Sequence, residues 1–169
     1  MDLFKPITVR GLTLKNRVVL PPMVVMPFSY DYRSREVGSY FLERARGGAG
    51  TLIVGYTHTD LFVSDEAWGE PGSVARFVNE SCAFTNTIRQ AGARIGIQLS
   101  HHNQIAWRID RVGSESNEWI APSPKEEEGP PLQVGKLPPR RELTIPEIET
   151  IIGKFATAAC CQSAIWDTF

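Results

Sequence analysis

Short apolar runs without polar alternation mark three candidate strands in the chain. They lie at residues 18–20, 51–55 and 94–99. A strand that is covered on both faces has this pattern, which is typical of parallel sheets flanked by helices. Ahead of them, residues 7–16 alternate apolar and polar side chains around Arg10-Gly11. That segment predicts a small β-hairpin with a glycine-containing turn.

Apolar residues at helical spacing predict helices around 34–47, 73–91 and 144–164. Glycines follow the first two, as expected at helix ends. Thr144 can cap the third helix, and Glu147 three residues later completes a capping box. The alternation of β and α segments predicts an α/β fold with a parallel sheet and right-handed crossovers.

The segment 100–143 is expected to be one long loop, because it is rich in proline and carries a run of three glutamates. Three parallel strands fall short of the eight in a (β/α)₈ barrel. We therefore interpret 1–169 as the N-terminal part of a barrel domain that is incomplete. It comprises the hairpin and about three βα units, with the first three barrel strands and two helices in 16–99.

Composition excludes several classes of protein. The 169 residues are 42% hydrophobic and 22% charged, with a formal net charge of −1, so neither nucleic acid nor an anionic membrane surface is expected as a partner. No secretory signal and no apolar run of about 18 residues are present. A cytoplasmic location is expected, with Cys82, Cys160 and Cys161 as free, buried thiols and no metal site.

Five segments resemble the Old Yellow Enzyme family of NADH:flavin oxidoreductases, which includes 2,4-dienoyl-CoA reductases and ene-reductases. They are LFKPITVRGLTLKNRVVLPPM (3–23), YFLERARGGAGTLIVG (40–55), RIGIQLSH (94–101), IAPSP (120–124) and LTIPEIETIIGKFATAA (143–159). The segments stand in the family's order and cover nearly the whole chain. The resemblance implies an FMN-binding (β/α)₈ TIM barrel whose chemistry lies at the carboxyl ends of the strands.

The same resemblance implies a flavin bed at these strand ends. The implied FMN-binding residues are Pro21, Pro22, Met23, Val24, Gly55, Tyr56 and Gln98. Proline holds the corner rigid and methionine offers an adaptable apolar surface, while the Gln98 amide would bind the pyrimidine ring. His101 is a candidate on the substrate side. No proton donor is assigned, although Tyr30 is a candidate.

The residues alone leave other interpretations open. The two prolines can simply end a strand, Met23 can fill the core, and Gln98 can be a satisfied polar residue. His101-His102 suggests a metal site only if a third ligand exists, and none stands nearby in the sequence. Residues 47–50 precede a strand, whereas a phosphate loop follows one, so the glycines there are interpreted as a helix stop.

The chain departs from the family at two places. Val24 stands where relatives often have Thr or Cys near the flavin O4 atom. Asn103 and Gln104 replace part of the H-x-G-R pattern that begins at His101. The substrate-binding His pair and the iron–sulfur cysteines of the family cannot be placed in this chain.

The function implied is that of an FMN-dependent oxidoreductase, which passes hydride from NAD(P)H through the flavin to an activated alkene. That alkene is a small molecule, either an enone or an enoyl thioester. The alternative is a non-catalytic truncated fragment, or a subunit that needs a complementary chain to close the barrel. A homo-oligomer or a complementary barrel half is the partner that this alternative implies.

Overall fold

The computed structural model describes residues 2–23, 35–59, 71–101, 119–124, 140–163 and 165. Its strands are β1 Ile7–Val9, β2 Leu12–Leu14, β3 Val19–Leu20, β4 Thr51–His58, β5 Arg94–Ser100, β6 Trp119–Ala121 and β7 Arg140–Glu142. Its helices are α1 Arg35–Arg46, α2 Ser73–Gln90 and α3 Ile145–Ser163. Val24, Tyr30 and residues 102–104 lie outside the described residues.

A three-stranded parallel sheet organises the fold. Its order is β3-β4-β5, with Thr51 of β4 aligned to Val19 on one side and to Arg94 on the other. Helices α1 and α2 connect successive strands in the chain. The predicted βαβαβ order and the parallel pairing are therefore confirmed.

The N-terminal hairpin is also as predicted. Strands β1 and β2 pair antiparallel, from Ile7↔Leu14 to Val9↔Leu12. The two residues between them have positive φ, 46° at Arg10 and 88° at Gly11. A two-residue loop of this kind matches the right-handed twist of the strands it joins, and glycine adopts its left-handed position without steric cost.

The hydrophobic core lies between the helices and one face of the sheet. Helix α1 contributes Phe41, α2 contributes Phe77 and Ile88, and the sheet contributes Leu52 and Ile95, each no more than 2% exposed. Ala158 of α3 and Ile165 beyond it belong to the same cluster. Burial of these side chains is the main favourable contribution to folding.

Two expectations from the sequence were wrong in part. The range 100–143 is not loop throughout, because β6 and β7 pair in parallel within it, from Trp119↔Arg140 to Ala121↔Glu142. Three-residue strands carry too little periodicity to be recognised, and Arg140-Arg141-Glu142 has no apolar residue.

The three cysteines are free, but they are not buried as expected. Cys160 is exposed, whereas Cys82 and Cys161 are half-buried. Cys160 and Cys161 both lie in α3. Because this helix contributes only one face to the core, one of the two thiols is exposed and the other is half-buried. None of the helices in the described segments is long and apolar enough to cross a membrane.

Candidate functional site

The carboxyl ends of β3, β4 and β5 meet at one edge of the sheet, because the three strands are parallel. Pro21, Pro22 and Met23 directly follow β3. Gly55 lies in the second half of β4, and Gln98 lies near the end of β5. The fold therefore brings residues from all three predicted strand ends to the same edge.

A β-bulge interrupts the pairing of β4 with β5 at this edge. Val54 pairs with Ile97 and Thr57 pairs with Leu99, so the two residues Gly55 and Tyr56 stand opposite Gln98 alone. Such bulges insert one extra residue, bend the strand and redirect side chains, and they are frequent beside active sites. Sequence reasoning identified all three positions but could not reveal the bulge that places them opposite one another.

The end of β3 packs directly on the bulge. A Cβ atom built on Gly55 would lie 2.5 Å from the Met23 carbonyl oxygen and 3.0 Å from its carbonyl carbon. The Met23 residue is nevertheless 45% exposed, so much of it is open to solvent beside Gly55. Apolar surface at a strand end is suited to contact with a flat aromatic ligand.

Gln98 lies on the sheet face that the helices do not cover. Ile95 belongs to the buried core, and Ile97 and Leu99 pack against it. Since neighbouring residues of a strand point to opposite faces, Gln98 projects to the other side. It is exposed, and its amide can both donate and accept hydrogen bonds.

His58 is a residue of this edge that sequence reasoning missed. It pairs with Ser100 at the last step of the β4–β5 ladder. Its ring centroid is 6.4 Å from that of His101, with an angle of 61° between the ring planes. The strand predicted over 51–55 continues to His58. The aromatic residue Tyr56 and the β-branched residue Thr57 favour this continuation and are the signal for it in the sequence.

His101 itself is half-buried, directly after β5. An imidazole can hydrogen-bond a ligand through either ring nitrogen, so His58 and His101 supply polar groups at this edge. Within the described segments, no group of three or more His, Cys, Asp or Glu residues is placed to hold a metal ion.

The predicted residues are therefore partly brought together. Met23, Gly55 and Gln98 gather at the sheet edge, and the backbone of Tyr56 completes the bulge between them. Pro21 is exposed and Pro22 half-buried in the segment that leads to Met23. Val24 and Tyr30, outside the described residues, have no structural position to report.

A concave feature lies at the opposite, amino end of the strands. Its volume is 430 Å³, and its lining includes Phe4, Lys15, Asn16, Val18 and residues 47–49. These residues precede β3 and β4 rather than follow them. Chemistry in parallel α/β barrels is placed at the carboxyl ends, so this cavity is not the candidate site.

The chain is similar to known proteins both in sequence and in fold. A family model for the NADH:flavin oxidoreductase / NADH oxidase family matches residues 2–168. The chain is similar to the NADH oxidase of Thermoanaerobacter brockii, with 32% identity over 98% of this chain and 25% of that protein. It is also similar to the NADPH dehydrogenase of Geobacillus sp. (strain WCH70), with 31% identity over 93% of this chain and 43% of that protein.

A solved structure shows the same fold. The old yellow enzyme homologue from Zymomonas mobilis superposes with a TM-score of 0.69 and 22% identity, over 99% of this chain and 47% of that chain. The predicted partial α/β barrel is thereby confirmed. The chain spans less than half the length of each of these three proteins.

Proposed function

The chain belongs to the NADH:flavin oxidoreductase / NADH oxidase family, and we propose that the edge formed by Met23, Gly55 and Gln98 is part of an FMN site. The resemblance of its motifs to the Old Yellow Enzyme family predicted this membership. Proteins of the family use FMN with NAD(P)H.

The residues at the edge fit a flavin. An isoalloxazine ring requires an apolar surface under one face and hydrogen-bonding groups at its pyrimidine end. Met23 offers exposed apolar surface on a corner that two prolines make rigid. Gln98 offers an exposed amide one strand away from the Gly55–Tyr56 bulge. The bulge that sets these residues opposite one another is the observation that carries the proposal.

FMN bound here would supply hydride transfer from NAD(P)H to an activated alkene, of the enone or enoyl thioester class. The residues of this chain would bind and orient the cofactor. Pro22, Met23 and Val24 would exclude water from one ring face, and the Gln98 amide would hold the pyrimidine edge. His101, and His58 beside it, would lie on the substrate side. Tyr30 remains a candidate for the proton donor.

The test is a titration of the 169-residue chain with FMN, in which flavin fluorescence reports binding. Replacing the amide in Gln98→Ala removes a neutral hydrogen bond, so the dissociation constant is expected to rise by about two- to tenfold. The matched control is Gln90→Ala, which truncates an exposed glutamine at the end of α2. That variant is expected to bind FMN as the wild type does.

Two results would contradict the proposal. If Gln98→Ala and Gln90→Ala weaken FMN binding equally, Gln98 does not contact the cofactor. A folded wild-type chain that binds no FMN would contradict the proposal for this chain. It would favour the alternative, in which the chain is a subunit that needs a complementary barrel half.

A further inference from the structure

We propose that Gly55 is a positioning residue, which fixes the Met23 backbone over the sheet edge and thereby sets the apolar side of the site. This inference rests on the proposed function and deepens it. In this role Gly55 does not need to contact the flavin itself, because it acts on the position of Met23. The glycine acts through a neighbouring strand end.

The contact between the two residues leaves no room for a side chain at position 55. A Cβ atom there would lie 2.5 Å from the Met23 carbonyl oxygen, 3.0 Å from its carbonyl carbon and 3.5 Å from its nitrogen. All three neighbours are main-chain atoms, which cannot rotate away as the end of a flexible side chain can. Interiors are packed densely enough that such an overlap displaces the backbone.

The backbone conformation of Gly55 does not by itself require glycine. The glycines with positive φ in the described residues are Gly11, Gly48, Gly72 and Gly92, and Gly55 is not among them. Glycine within a strand is unfavourable for entropic reasons, and it often marks the close approach of another backbone. The close approach of Met23 therefore accounts for glycine at this position.

The bulge gives this contact its consequence for the site. Gly55 and Tyr56 together face Gln98 across the ladder, and Gly55 is also the residue that the Met23 main chain approaches. Moving Met23 away from Gly55 would change the relation between the apolar surface and the Gln98 amide. It would do so without removing any side chain from the site.

A matched control exists at the other end of the same strand. A Cβ atom on Gly50, directly before β4, would overlap Asn16 Oδ1 and lie 2.8 Å from the Asn16 carbonyl oxygen. Gly50→Ala therefore introduces a comparable overlap, with the Asn16 side chain and the Asn16 carbonyl oxygen, but at the amino end of the sheet. Any general loss of stability should appear in both variants, whereas displacement of Met23 should appear in one.

The decisive measurement uses no flavin. The chain has three methionines, so a methyl-¹³C-methionine spectrum is simple, and Met23→Leu identifies the Met23 signal. Gly55→Ala is expected to shift the Met23 methyl resonance, whereas Gly50→Ala is expected to leave it in place. An unshifted Met23 signal in folded Gly55→Ala would overturn the inference.

FMN affinity supplies the second readout. Gly55→Ala is expected to weaken FMN binding about tenfold in the wild-type background and less than about twofold in a Met23→Ala background, because residues that act together are not additive. Additive effects would overturn the inference. Absence of FMN binding by the wild type would contradict the proposed function only, since the methyl spectrum still decides the role of Gly55.

If Gly55→Ala does not fold, a second change keeps the inference testable. Pro22→Gly frees the dihedral angle of the corner before Met23. The double variant is expected to fold, with the Met23 methyl signal displaced. Failure of Pro22→Gly to restore folding would overturn the inference, because a Met23 backbone free to move would relieve the overlap.

Discussion

Asn16 shows how one buried polar residue joins the parts of this fold. Its side chain makes two hydrogen bonds: Nδ2 donates to the Gly48 carbonyl at 2.8 Å, and Oδ1 accepts from the Val18 N–H at 3.0 Å. It is only 7% exposed. The residue thus ties the chain before β3 to the turn that precedes β4.

We expect Asn16→Ala to lower the free energy of unfolding by about 1–3 kcal/mol, because it leaves two backbone groups without their partner in a site with little access to water. Urea denaturation measures the loss. The control is Thr13→Ala, which removes an exposed hydroxyl contact with Thr8 at 3.1 Å and should cost less than about 0.5 kcal/mol. Similar losses in the two variants would show that burial of the Asn16 bonds is unimportant.

At the scale of elements, the start of α3 follows its sequence pattern closely. The Thr144 N–H donates to Glu147 Oε2 at 2.7 Å, and the Thr144 hydroxyl donates to the same oxygen at 2.7 Å. The bond from the Thr144 N–H to the Glu147 carboxylate is one half of the predicted capping box. The threonine hydroxyl donates to the same carboxylate, whereas in a full capping box it accepts from the backbone N–H of residue 147. Arg141 of β7 adds two bonds to the Glu147 carboxylate, at 3.0 and 2.7 Å. The carboxylate therefore connects a strand to a helix start.

These contacts make the stability of α3 depend on pH. The Arg141 guanidinium, followed by the Thr144 N–H and hydroxyl, lowers the pKa of Glu147 from its ordinary 4.5 to about 2. A lowered folded-state pKa contributes stability above pH 4.5, and that contribution is lost as the pH falls from about 4.5 to about 2.

The melting temperature of wild type should therefore exceed that of Glu147→Gln at pH 7. The difference should shrink steadily below pH 4.5 and vanish near pH 2, as followed by circular dichroism. Glu149→Gln, at an exposed position on the same helix, should change the melting temperature less at pH 7. A difference for Glu147→Gln that is the same at pH 7 and pH 2.5 would rule out the charge as its source.

Other elements show why sequence reasoning stops where it does. The Thr144–Glu147 contact and the Arg10-Gly11 hairpin turn are local, so a few neighbouring residues determine them. The β4–β5 bulge and the pairing of β6 with β7 depend on residues far apart in the chain. Nothing within Gly55-Tyr56 or within Arg140-Arg141-Glu142 specifies those partners. The sequence therefore identified the residues of the site edge but could not predict that Gly55 and Tyr56 lie opposite Gln98 in the β4–β5 ladder.

For the molecule as a whole, α3 is the helix with the smallest buried share among the residues whose side chains the structure describes. Ala158 and Ile165 enter the shared core, whereas Ile145 and Ile152 are 67% and 62% exposed. Helices α1 and α2 each place at least three residues among the buried ones. Resistance to local unfolding should therefore be lower in α3 than in the central sheet.

Arg89 supplies a polar connection across this boundary. Its Nη2 donates to the Ile165 carbonyl at 2.7 Å, which links α2 to a residue two positions beyond the end of α3, across 76 positions of sequence. A hydrogen bond from a charged donor contributes about 1.5–3 kcal/mol. Arg89→Met, which keeps an unbranched apolar stem, should accelerate amide hydrogen exchange in α3 by about tenfold or more, as measured by mass spectrometry.

Exchange in β4 should change far less, because its amides are bonded within the central sheet. Lys15→Met, at an exposed position before β3, provides the comparison for loss of a positive charge. Equal acceleration in β4 and α3 would mean that Arg89 stabilises the fold globally. Selective acceleration in α3 would mean that the helix can detach while the sheet edge with Met23, Gly55 and Gln98 remains formed.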